Sequence, residues 1–67
     1  MFEVAIYNRD VLECLNEGRN HKFLSNDWAE THYIEVEADN ENAARAKVQT
    51  KYPETQGFVV TGVSAAA

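Results

Sequence analysis

The stretch from Tyr33 to Val63 constrains this chain most, because it reads as one strand, one helix and one strand. Around Tyr33, residues His32, Ile34, Val36 and Ala38 alternate with Thr31, Tyr33, Glu35 and Glu37. That period of two is the pattern of a half-buried strand, with its charged side turned to solvent or to a partner. Asp39 or Asn40 then caps a helix that runs to about Tyr52. Alanines at 43, 44 and 46 favour it, and Ala44, Val48 and Tyr52 form a narrow apolar stripe at four-residue spacing. Glu41 precedes Arg45 by four residues, and Lys47 and Lys51 sit near the negative end of the helix dipole. Pro53 ends the helix. Residues 54–57 form a turn, and Phe58 to Val63 is the next strand.

The N-terminal part is read in the same way. Phe2, Val4 and Ile6 alternate with Glu3, Ala5 and Tyr7, which predicts another strand. Asn8 or Asp10 caps a short helix through Glu17, with Asp10 and Glu13 spaced as in a capping box and Gly18 as the stop. A hairpin is the competing reading for this segment. Residues 19–30 have no clean period, yet they hold Phe23, Leu24 and Trp28. Such a segment folds back over the core, and Ser25 or Asn26 opens a single helical turn within it.

These elements predict one α+β domain over residues 1–64, with 65–67 as a frayed tail. The order is β-(short α)-β-α-β: a three-stranded sheet with one main helix packed on one face. If the first strand lies between the other two, it runs antiparallel to both, a split β-α-β arrangement. The helix-bearing face takes Phe2, Val4, Ile6, Ile34, Val36, Phe58 and Val60. The other face takes Ala5, Tyr7, Tyr33, Val59, Thr61 and Val63 with Glu3, Glu35 and Glu37. Gly62, inside a strand, marks a bulge or close packing. Whether the 19–30 segment covers the second face, with Trp28 as its lid, is left open by the pattern.

Composition narrows the chemistry. A 67-residue chain forms a small core that usually needs help from disulfides, a metal or a partner. The single cysteine, Cys14, allows neither an internal bridge nor a cysteine-based zinc site. No apolar run spans a membrane and no signal-peptide pattern opens the chain, so the expected location is the cytoplasm. The net charge of −5 argues against direct nucleic-acid binding. His21, His32 and Cys14 match no metal spacing, Gly18, Gly57 and Gly62 form no phosphate loop, and Asp10, Glu13 and Glu17 read as solvated charges. No enzyme activity, metal or cofactor is therefore expected.

The expected role is protein interaction, with another protein or with a second copy as a homodimer. The open sheet face and the 19–30 loop would carry it through Tyr7, Trp28, Tyr33, Glu35 and Glu37. Two other readings remain. Residues 23–44 contain six acids and no Lys or Arg, which suits an acidic inhibitor that mimics nucleic acid toward a basic protein. A small ligand-binding or enzyme subunit would instead use His21, Trp28 and His32, and needs a closed pocket.

Overall fold

The structure is a computed structural model, and it describes residues 1–66. It runs β1 (Phe2–Asn8), α1 (Arg9–Asn16), a 3-10 turn (Asn26–Ala29), β2 (His32–Val36), α2 (Glu41–Lys51), a second 3-10 turn (Glu54–Gln56) and β3 (Phe58–Ala65). The sheet order is β2-β1-β3, with β1 antiparallel to both neighbours. The chain is thus an α+β fold, as its alternation and its single long helix predict, and the middle place of β1 fulfils the condition for the split β-α-β arrangement.

Local chemistry accounts for the boundaries. Asn8, rather than Asp10, caps α1: its side-chain oxygen accepts the Val11 N–H at 3.0 Å. Helix α1 closes with Gly18 at φ 74°, where the Gly18 and Arg19 N–H groups donate to the Leu15 and Cys14 carbonyls. That paired reversal is the Schellman motif. Ser25 caps the turn at Asn26. Asn40, rather than Asp39, caps α2 through the Ala43 N–H at 2.8 Å. Strand β2 is shorter than its alternation suggests, ending at Val36, and β3 is longer. Ala65 pairs with Phe2, and the Ala66 N–H donates to the Met1 carbonyl at 2.9 Å. Of the tail expected at 65–67, Ala67 lies outside the described residues.

A small core sits between the sheet and α2. Val4, Ile6, Ala44, Val48 and Phe58 form it, with Ile34, Val36, Tyr52, Val60 and Val63 packed around them. Trp28 extends this core at one end. Its ring stacks on His32 at 4.3 Å and meets Phe58 at 5.1 Å and Tyr52 at 5.3 Å. Such aromatic pairs add about 0.5–1.5 kcal/mol each beyond the area they bury. His32 completes the corner, because its Nε2–H donates to the Asp27 carbonyl at 2.9 Å.

On the second sheet face the structure answers one open question and corrects one expectation. The 19–30 segment does fold back, but onto the α2 side, where Leu24 and Trp28 pack on the core. It is no lid over the other face. Val63 also belongs to the α2 side. The register passes from Val60 opposite Ile6 directly to Gly62 opposite Ala5, leaving Thr61 as the extra residue of a β-bulge. Beyond the bulge the parity of β3 is reversed, so Val63 joins the core and Gly62 takes the place expected of it on the open face.

Candidate functional site

Helix α2 and the aromatic segment around Trp28 cover one side of the sheet, so the opposite side defines the candidate site. Its residues are set by the strand register. Tyr33, Ala5 and Gly62 form a row across β2, β1 and β3. Glu35, Glu3 and Ser64 form the next row, and Tyr7 beside Val59 forms the row on the other flank. None of these eight residues is buried, whereas Val4 and Ile6, the alternate residues of β1, are fully buried. Tyr33 is 65% exposed, high for an aromatic in a strand. A Cβ built on Gly62 meets nothing within 4 Å, so open space lies above that glycine.

The middle row makes a shallow trough. Ala5 and Gly62 give it a low floor, Tyr33 stands at one end, and the flanks are Tyr7 with Val59 and Glu3 with Glu35. Glu3 and Glu35 are direct cross-strand partners. Residues so placed have Cβ atoms about 5 Å apart, and like charges there destabilise the sheet. No strand contains a Lys or Arg: the cations are Arg9, Arg19, Lys22, Arg45, Lys47 and Lys51, all on helices or the connecting loop. Among the described residues the ion pairs are Arg9–Asp10 and Arg19–Glu17, so neither carboxylate of the trough has a cationic partner.

The five residues predicted as a partner site are not brought together. Tyr7, Tyr33 and Glu35 share the open face. Glu37 continues their alternation one step beyond β2, where its main-chain carbonyl accepts a hydrogen bond from Lys47 Nζ. Trp28 lies on the opposite side, inside the aromatic cluster. Ala5 and Gly62 matter to the trough because they are small, and Glu3 because of its register partner. Parity placed Glu3 and Ala5 on this face in the sequence. The bulge that turns Gly62 onto it depends on pairing between strands far apart in the chain.

The remaining chemistry-bearing side chains do not converge in a comparable way. Trp28 and His32 meet as a packed, hydrogen-bonded pair. His21 lies apart from that pair's contacts, beside Phe23 at 6.3 Å. It lines one groove with Asp10, Phe23, Leu24 and Gln56, and an adjoining one with Cys14 and Glu13. Its Nδ1 accepts the N–H groups of Phe23 and Leu24, both at 3.1 Å, so the ring proton sits on Nε2. Among the described residues no three His, Cys, Asp or Glu side chains cluster as a metal site requires. No helix among them is long and apolar enough to cross a membrane.

Fold and surface together define a class: a small split β-α-β domain with one sheet face left bare. In comparisons with known proteins, no family, no curated protein and no solved structure matches the chain.

Proposed function

We propose that this protein is a small interaction module that docks another protein on its open sheet face. The observation that carries this reading is one-sided covering. Helix α2 and the aromatic segment serve a single face, while Tyr33 stands 65% exposed on the other. Exposed aromatic and small apolar residues rimmed by carboxylates are the composition of a docking surface. The acidic-mimic reading draws less support, because many acids lie on elements away from this face, among them Asp10 and Glu13 on α1, Asp27 and Glu54. A half-buried free thiol at Cys14 suits a reducing compartment such as the cytoplasm.

Self-association through the same face is disfavoured by charge, since a twofold contact would set Glu3 and Glu35 of one copy against those of the other. A homodimer would instead use the outer edge of β3, whose eight residues from Phe58 to Ala65 carry no charge. Light scattering distinguishes a dimer from a monomer.

The docking reading is tested by affinity capture from native lysate with three baits: the unaltered protein, Tyr33→Ala, and Gln49→Ala on the exposed side of α2. The expected result is a protein retained by the unaltered and Gln49→Ala baits and lost from Tyr33→Ala. Equal recovery on all three baits, or no specific recovery, removes the reading.

A further inference from the structure

We infer that the docked partner is cationic, and that the trough seats one of its arginine side chains with the guanidinium against Glu3 and Glu35. This rests on the open face being the docking surface, and it adds the chemistry of the occupant.

The first argument is charge complementarity. The Glu3–Glu35 pair sits on a sheet that carries no Lys or Arg in any strand, and the ion pairs of the described residues lie elsewhere. The register therefore sets two carboxylates side by side with no ion-pair partner among the described residues, an arrangement that an incoming cation complements. A nucleic acid or an acidic surface would worsen it. A second copy offering the same face would double it.

The second argument is shape. Ala5 and Gly62 leave a low floor between two flanks, and the space above Gly62 is empty to at least 4 Å. An arginine stem lies along that floor against Tyr7 and Val59. Its planar fork then reaches two carboxylates whose Cβ atoms are about 5 Å apart. The exposed ring of Tyr33, opposite Ala5, supplies a face for the guanidinium to stack on. A lysine has the charge but lacks the fork and the stacking plane.

The test uses the unaltered 15N-labelled protein and three synthetic peptides: acetyl-Val-Arg-Val-Arg-Val-amide and the same peptide with Gln or Glu in place of Arg. The Arg peptide is expected to shift the amides of Glu3, Ala5, Tyr33, Glu35 and Gly62, and to bind roughly tenfold more tightly than the Gln peptide. Its affinity should fall several-fold between about 50 and about 300 mM salt. Glu35→Gln weakens it about fivefold or more, Gly62→Val does the same by filling the floor, and Glu13→Gln on α1 leaves it unchanged. Comparing the peptides on the unaltered protein keeps the test decisive if Gly62→Val fails to fold. Shifts centred on Asp10, Glu13 and Glu17 overturn the inference, as does binding of the Glu peptide. Equal binding of the Gln peptide at the trough overturns it too, while leaving the face as an apolar docking surface. Shifts of these amides that grow with protein concentration alone, without peptide, make a second copy the occupant and overturn it.

Discussion

At the residue scale, two glycines with the same backbone sign carry different burdens. Gly57 has φ 93°, and a Cβ there would lie 2.5 Å from Asp10 Oδ2 and 2.9 Å from Asn8 Oδ1. Asn8 cannot give way. It is fully buried, donates from Nδ2 to the Gln56 carbonyl and accepts the Val11 N–H. The Arg9 N–H also donates to the Gly57 carbonyl at 2.7 Å, so this point joins the start of α1 to the start of β3. Gly57→Ala is expected to lose about 2 kcal/mol or more, from left-handed strain plus collision. Asp10→Ala in the same chain should recover only part of that, because Asn8 stays. Gly18 has φ 74° with nothing within 4 Å, so Gly18→Ala incurs the conformational term alone, about 1 kcal/mol. Urea unfolding of the three variants checks the order. The sequence marked Gly18 as a helix stop, since a short amphipathic run precedes it. The tight contact at Gly57 was not visible there, because Asn8 and Gly57 meet only after the sheet forms.

At the scale of elements, the bulge in β3 decides which side chains the open face presents. Removing one residue from a strand normally turns every later side chain to the wrong face. Here deletion of Thr61 should do the opposite, because Thr61 is the extra residue and Gly62 already stands opposite Ala5. The deletion costs the hydrogen bond from Thr61 Oγ1 to the Ala5 carbonyl, and is expected to change stability by about 1 kcal/mol or less. Deletion of Val63 should be far more damaging, because it removes a residue packed on the core and shifts Ser64 and Ala65 out of register. Thermal melts of both deletions give the comparison. A Thr61 deletion that unfolds the chain would contradict the bulged register. Alternation alone identified all three strands, left the middle place of β1 as a condition that the pairing fulfils, and placed Val63 on the wrong face. A bulge is set by the pairing of two strands, not by either strand's own pattern.

At the scale of the whole molecule, the fold is long and thin. Its extents are 40 × 21 × 14 Å and its radius of gyration is 12.6 Å, against about 11 Å for a compact chain of this length. The helix α2 covers the sheet, while α1 and the turn at Asn26–Ala29 pack on each other near the sheet end where Asn8, His32 and Phe58 lie. Trp28 is the side chain that ties this end to the core. Trp28→Ala should cost about 3–5 kcal/mol, comparable with all that a core of this size supplies. The variant is expected to be largely unfolded at 25 °C, while Trp28→Phe keeps most of the packing. Far-ultraviolet circular dichroism across a urea series measures both. A Trp28→Ala variant as stable as the unaltered chain would return Trp28 to the candidates for partner contact.

The chain's own pattern determined the elements, their order and the small folded unit they build, because alternation, helix caps, Gly18 and Pro53 act over a few residues. It also determined that the strands carry no cation. Only the tertiary structure decided which face Trp28 and the 19–30 segment would cover, which way β3 turns past Thr61, and that Glu3 stands opposite Glu35. These depend on contacts between residues distant in the chain, and local rules of period and capping do not reach them.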